Sequence, residues 1–208
     1  VIASISSSAT AADAYQVKAF DITSTKRLIS NDIVDPAVST QDGFNRTVKA
    51  AAVTVTTLAT PVAGSIVPGT NGVKLGSFEF NASASGEDVR VTAVTVTDTK
   101  GGSAVYADIS NLVMKDASGA QLTTSSSTAT NANTVTFTFT NPIIVGRSAT
   151  TVINLFGDVR SSATAGGTSA YAHTYNINAS GDVTATGKDT GNTIATPTVS
   201  GSGQAQRI

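Results

Sequence analysis

The chain has 208 residues, of which 40% are hydrophobic and 13% are charged, and 13 Lys and Arg stand against 14 Asp and Glu. A net charge of −1 with no long basic run excludes the electrostatic drive for nucleic-acid binding. No apolar run approaches the roughly 20 residues that cross a bilayer, so we expect no membrane span in this sequence. The content of Val and Ile is too high for a disordered chain.

Strands are predicted wherever apolar and polar residues alternate with a period of two. In chain order these segments are 15–22, 47–58, 73–82, 91–97, 134–140, 149–159 and 170–177. Thr and Val dominate them, and both residues branch at Cβ and pack well on a pleated sheet. Two shorter strands are predicted between Leu112 and Leu122, around a turn at 116–119 in which Gly119 takes the position that needs positive φ.

No segment repeats apolar residues at the i, i+3, i+4 and i+7 positions that a long helix requires. The predicted class is therefore all-β. Many strands separated by turn signals favour an immunoglobulin-like antiparallel β-sandwich, with a closed barrel as the alternative.

A boundary is predicted at 59–72, where the sequence TPVAGSIVPGTNG follows Ala59. Two prolines and three glycines in this stretch remove backbone donors and interrupt a central strand. We therefore expect a linker or the beginning of a domain there.

An internal repeat with a period of about 155 residues is the most informative sequence feature. Residues 1–11 align with 155–165 and share SSATA, residues 20–30 align with 175–185, and 49–53 align with 204–208. In this alignment Phe20 meets Tyr175, Ile22 meets Ile177 and Leu28 meets Val183. The repeat predicts a tandem array that the sequence enters out of phase.

The predicted organisation has three parts. Residues 1–58 are the C-terminal part of one sandwich repeat, 59–72 are the linker, and 73–208 are a second repeat whose last strand is truncated near Gln204–Ile208. A part-domain of two or three strands cannot bury its apolar face alone. We expect completion either by chain that precedes Val1 or by strands exchanged with other copies of the protein.

Four stretches resemble the repeating β-sandwich segments of very large surface-layer-type proteins of uncultured candidate-phyla bacteria. They are GTNGVKLGSFEFNASASGEDVRVTAVTVT (69–97), ISNLVMKDASGAQL (109–122), SSATAGGTSAY (161–171) and ASGDVTATG (179–187). The resemblance implies a secreted array on the cell surface, with no catalytic residues. It also implies that the insert 123–133 is a variable loop.

The sequence offers few candidates for catalytic or metal-binding residues. His173, the single histidine, is predicted to share a strand face with Tyr171, Tyr175 and Ile177, and we expect an ordinary packed or surface residue rather than a hydrolase base. Acids stand in turns or near strand ends, and we expect solvated carboxylates there, with a Ca²⁺ site as the minor alternative; they are Glu87, Asp88, Asp98, Asp108, Asp116, Asp158 and Asp182. A covalent link between Lys74 and Asn154 is a remote further hypothesis.

The sequence thus predicts a structural, extracellular, cell-surface protein that assembles with other copies of itself into a surface layer or filament. The contacts are end-to-end or strand-addition contacts. An adhesin stalk or carbohydrate-binding module is the alternative, although sugar recognition favours exposed aromatic platforms and only 5% of the residues are aromatic. No enzymatic activity, catalytic residue or required cofactor is predicted.

Overall fold

The structure is a computed structural model that describes residues 5–6, 9–17, 25–34, 42–123, 133–163 and 165–208. The chain forms two compact units, Val1–Lys49 and Ala50–Ile208. Within the described ranges the regular elements are strands, apart from three single-turn 3-10 segments. The prediction of an all-β class is confirmed.

The first unit contains four strands of two residues each. They are β1 (Ala14–Tyr15), β2 (Thr25–Lys26), β3 (Ile33–Val34) and β4 (Arg46–Thr47). β1 pairs with β4 and β2 pairs with β3, both antiparallel. Of the predicted strand 15–22, Tyr15 is in β1, and 18–22 lie outside the described residues. No described residue of this unit is buried.

The second unit contains eleven strands among its described residues. They are β5 (Thr54–Thr57), β6 (Gly64–Ser65), β7 (Val73–Asn81), β8 (Val89–Lys100), β9 (Ile109–Asp116), β10 (Thr134–Val145), β11 (Thr150–Val159), β12 (Ala172–Asn176), β13 (Val183–Gly187), β14 (Thr198–Gly201) and β15 (Gln206–Arg207). The 3-10 segments are Tyr106–Asp108, Ser169–Tyr171 and Ser180–Asp182.

These strands form two sheets. Sheet I has the order β14-β5-β7-β11-β9, and sheet II has the order β10-β8-β12-β15-β6, with β13 also paired to β8. The pairing is antiparallel except for β14 with β5 and β15 with β6, which are parallel. The sheets are therefore mixed rather than purely antiparallel.

The core of the second unit takes its side chains from both sheets. Burial alternates most clearly along β8 and β10, where valines and phenylalanines point inward and threonines face outward. Fully buried members of this single cluster include Val55, Phe78 and Leu155 from sheet I and Val89, Val91 and Val94 from sheet II. This arrangement is consistent with a β-sandwich.

The predicted turn after β9 is confirmed. Gly119 has φ of 89°, and its amide donates to the Asp116 carbonyl at 3.1 Å. The Asp116 carboxylate accepts hydrogen bonds from the Ser118 amide and hydroxyl and from the Ala120 amide. An aspartate followed by a glycine in the left-handed region therefore closes the hairpin.

The boundary between the units differs from the predicted one. It falls after Lys49, and residues 50–72 belong to the second unit. β5 pairs with β7, and β6 pairs with β15. The Pro- and Gly-rich stretch 59–72 thus lies within the second unit, because both of its flanks are held by sheet hydrogen bonds.

The predicted strand 47–58 is also divided. β4 and β5 stand at its ends, whereas the Ala50 carbonyl and the Ala52 amide bond to the loop at 85–86. At the other end of the unit, residues 206–207 pair on both sides, with β12 and with β6. Ile208 is buried.

Candidate functional site

His173 lies in the interior of the second unit, on β12. Its side chain has no solvent exposure, and its Nδ1 atom lies 2.8 Å from Oδ2 of Asp98 on β8. His173, Tyr175 and Ile177 are all buried, as their shared strand face predicts, while Tyr171 lies in a 3-10 segment and is half-buried. The histidine is therefore a packed residue, which was one of the two predicted placements.

Two further groups surround the imidazole. Asp108 Oδ2 lies 3.9 Å from His173 Nε2 and accepts a hydrogen bond from the Val105 amide at 2.9 Å. The ring of Tyr175 stacks on that of His173 with centroids 6.4 Å apart. Burial raises the pKa of the Tyr175 hydroxyl well above its usual range, and the nearby Asp98 carboxylate raises this pKa further. We call these four residues the buried histidine cluster.

The prediction that Asp98 and Asp108 are solvated is wrong. Each is only 3% exposed. Asp98 lies on the inward face of β8, in phase with Val94 and Val96, and the 3-10 segment before β9 carries Asp108 inward. Buried carboxylates require partners, and His173 lies between these two.

Asp158, near the end of β11, and Asp182, in the third 3-10 segment, accept hydrogen bonds from neighbouring backbone amides. Asp158 accepts from the Gly72 amide and from the Asn111 side chain, both at 2.7 Å. Asp182 accepts from the amides of Asn178 and Ala179. These carboxylates terminate loops, as short polar side chains commonly do.

Glu87 and Asp88 join three loops of the second unit. Glu87 accepts from the amides of Asp189 and Thr190 and from the Thr190 hydroxyl. Asp88 accepts from the Arg147 amide at 2.8 Å and from Lys188 Nζ at 3.0 Å. The Arg147 and Lys188 hydrogen bonds hold the pKa of Asp88 below its usual value.

No group of three or more His, Cys, Asp or Glu side chains within the described ranges is arranged to hold a metal ion. The Lys74–Asn154 hypothesis also finds no support. Their strands, β7 and β11, are neighbours, but the register keeps the two residues apart. Asn154 lies opposite Ser77 and accepts a hydrogen bond from its hydroxyl at 2.9 Å, while Lys74 lies opposite Phe156.

Asp116 offers a pH-dependent prediction. The Ser118 hydroxyl and neighbouring amides stabilise its charged form and lower its pKa below 3.8. The stabilisation should be present above the unfolded-state pKa and should disappear as the pH falls through the lower, folded-state pKa. Carboxyl chemical shifts followed by NMR should show an Asp116 midpoint below 3.8. In Ser118→Ala this midpoint should rise; an unchanged midpoint would contradict the assignment of the cause.

A shallow depression of about 370 Å³ lies between the loop after β6 and the end of β11. Its lining includes Asn111, Asp158 and Arg160. Asn111 has φ of 52°, and its side chain bonds to Asp158. Asn111 and Asp158 are thus engaged with each other, and no group at this depression indicates a particular ligand.

The first unit presents the largest set of exposed apolar side chains. Leu28 and Ile29 are 100% and 99% exposed, and Phe44 is 89% exposed. Ile5, Tyr15, Val17 and Ile33 are at least half exposed as well. We call these seven residues the exposed apolar set. Exposed apolar side chains can mark interaction surfaces, and this set holds most of the large apolar side chains that are exposed among the described residues. It is therefore the strongest candidate for a functional surface.

Comparisons with known proteins add no family assignment. No protein-family model matches the chain, and no curated protein matches it in sequence. In the part of the chain that the structure describes, no helix has the length and apolar character needed to traverse a membrane.

Proposed function

We propose that the protein is a structural, extracellular component that assembles with other copies of itself into a surface layer or filament. The observation that supports this most is the contrast between the units. The second has a continuous buried core, whereas no described residue of the first is buried. Covering exposed apolar surface is favourable by about 25 cal/mol for each Å² that is removed from water.

The repeat alignment supports the same proposal. Leu28, fully exposed in the first unit, aligns with Val183, which is 5% exposed in the core of the second. In the same alignment β15 corresponds to residues 51–52, which belong to the second unit, so the correspondence in structure does not extend past Lys49. The Leu28–Val183 correspondence fits a first unit that is the closing part of an immunoglobulin-like repeat, with apolar side chains that another surface would cover.

Assembly should depend on the exposed apolar set. Replacing Leu28 and Ile29 with serine removes two almost fully exposed apolar groups, and we expect this variant to lose most of the large species in light scattering and electron microscopy. The matched control replaces Val62 and Val67, which are 76% and 73% exposed in the second unit, and should assemble like the unaltered protein.

Two results would overturn the proposal. One is that the unaltered protein stays dispersed and monomeric at every protein and salt concentration tested. The other is equal assembly by the Leu28→Ser/Ile29→Ser variant and the unaltered protein, because the uncovered unit would then play no part.

A second candidate, an adhesin stalk or carbohydrate-binding module, has one observation in its favour. Tyr15 and Phe44 of the first unit are 50% and 89% exposed, and exposed aromatic rings are the platforms on which sugars stack. A glycan array would test it. Saturable binding that disappears in Tyr15→Ala and Phe44→Ala would favour recognition over assembly.

A further inference from the structure

Two segments of the second unit cross from sheet I to sheet II side by side. The first crossing segment, 54–65, begins as β5 in sheet I and ends as β6 in sheet II. The last crossing segment, 198–207, begins as β14 in sheet I and ends as β15 in sheet II. The two run parallel in both sheets, and theirs are the only parallel pairings among the described strands.

Hydrogen bonds join the two crossing segments, and residues adjoining them, in both sheets. In sheet I, residues 54–57 pair with 198–201 in continuous register, and the Thr198 amide donates to the Val53 carbonyl at 3.1 Å. In sheet II, the Ile66 amide donates to the Arg207 carbonyl at 2.7 Å. Between the sheets, the Gln206 side chain donates to the Val62 carbonyl at 3.1 Å.

Each crossing segment is also attached to the body of the unit. β5 pairs with β7 along all four of its residues, and β15 pairs with β12. Val55 is fully buried, and the Thr57 hydroxyl accepts a hydrogen bond from the Ile177 amide at 3.3 Å. Displacement of either segment therefore disrupts sheet hydrogen bonds and core packing together.

A glycine permits the close approach of the segments where β14 ends. Gly201 has φ of 83°, in the region that favours glycine. A Cβ atom at this position would collide with the backbone carbonyl of Thr57.

This geometry determines how tension along the chain loads the bonds. Tension that enters before β5 and leaves after β15 pulls two parallel segments in opposite directions along their own length. The hydrogen bonds of a ladder lie across the strands, so this shear loads them all at once, whereas peeling one strand from the other loads them in turn. Simultaneous rupture has the higher barrier, and that barrier governs unfolding under force.

We propose that the parallel pairing of 54–65 with 198–207 is a tension-bearing clamp, and that the second unit is built to resist load applied along the chain. This function goes beyond assembly and does not depend on it, because the clamp lies within one unit. In an array of such units, the load would pass from one clamp to the next.

Single-molecule force spectroscopy on the full chain tests the proposal, and the absence of cysteine allows handles to be placed at introduced thiols. The shear arrangement uses Lys49→Cys with a cysteine appended after Ile208. The peeling arrangement uses Lys49→Cys with Thr196→Cys, an exposed position beside Thr198, which pairs with Thr54. At equal loading rate, the shear arrangement should unfold at a severalfold higher force. Equal forces in the two arrangements would overturn the clamp.

A pair of variants separates the clamp from general stability. Thr198→Pro deletes the amide that donates to Val53, and it should lower the shear unfolding force toward the peeling value. Val145→Ala truncates a fully buried side chain on β10, away from the crossing segments, and should leave the shear force nearly unchanged at similar chemical stability. The opposite ranking would refute the proposal. If Thr198→Pro does not fold, the comparison of pulling directions still decides. Both measurements use single molecules, so they can fail without affecting the assembly proposal, and the reverse also holds.

Discussion

Replacing His173 with leucine should lower the free energy of unfolding by about 1–3 kcal/mol, the usual cost of leaving a buried polar group without its hydrogen-bond partner. Asp98 is 3% exposed, and its Oδ2 atom relies on His173 Nδ1 at 2.8 Å. Leucine leaves that carboxylate in the interior without its donor. Urea unfolding followed by far-ultraviolet circular dichroism measures the change, and a loss below about 1 kcal/mol would contradict the pairing.

A double-mutant cycle separates this pairing from packing. Asp98→Asn removes the charge while it keeps the approximate shape, so combining it with His173→Leu should cost less than the sum of the two single losses. Residues in contact within one network show such coupling, on the order of 0.5–3 kcal/mol. Strict additivity would mean that the two side chains contribute independently, which would contradict the 2.8 Å contact between His173 Nδ1 and Asp98 Oδ2.

Phe78→Ala should destabilise the second unit by about 3–5 kcal/mol, the usual loss for a phenylalanine removed from a packed core. Phe78 on β7 is fully buried in the cluster shared by the two sheets. Alanine leaves a cavity that the neighbouring strands cannot close, because their positions are fixed by ladder hydrogen bonds. The urea midpoint should fall while the slope of the transition stays unchanged.

Phe44→Ala provides the matched control. The same side chain is 89% exposed in the first unit, so its truncation should change the unfolding free energy of the second unit by no more than about 0.5 kcal/mol. Its effect is expected on assembly instead. A loss as large as that of Phe78→Ala would show that the Phe44 ring contributes to the core.

Strand positions could be predicted from the sequence because alternation records which face is buried. The predicted segments 73–82, 91–97 and 149–159 fall on β7, β8 and β11 within a few residues. The same alternation carried unused information about Asp98. It lies in phase with Val94 and Val96, so its carboxylate had to be inward and had to find a partner, and the single histidine was the obvious basic side chain to consider.

The partners of short strands could not be predicted in this way. Residues 54–57 and 64–65 belong to the second unit because they pair with β7 and β15, and β15 lies more than 140 positions away in sequence. Turn residues such as Pro68 and Gly69 signal an interruption of a strand. They carry no information about which sheet receives the chain on either side.

By itself, the sequence determined the all-β class, the longer strands and the turn at Gly119, because these depend on side-chain branching, alternation and local backbone preference. Only the tertiary structure decided that His173 lies between Asp98 and Asp108, that β5 and β6 run parallel to β14 and β15, and that the seven side chains of the exposed apolar set are open to solvent. These features arise from contacts between residues far apart in the chain, and such contacts depend on how whole strands are arranged rather than on any local pattern.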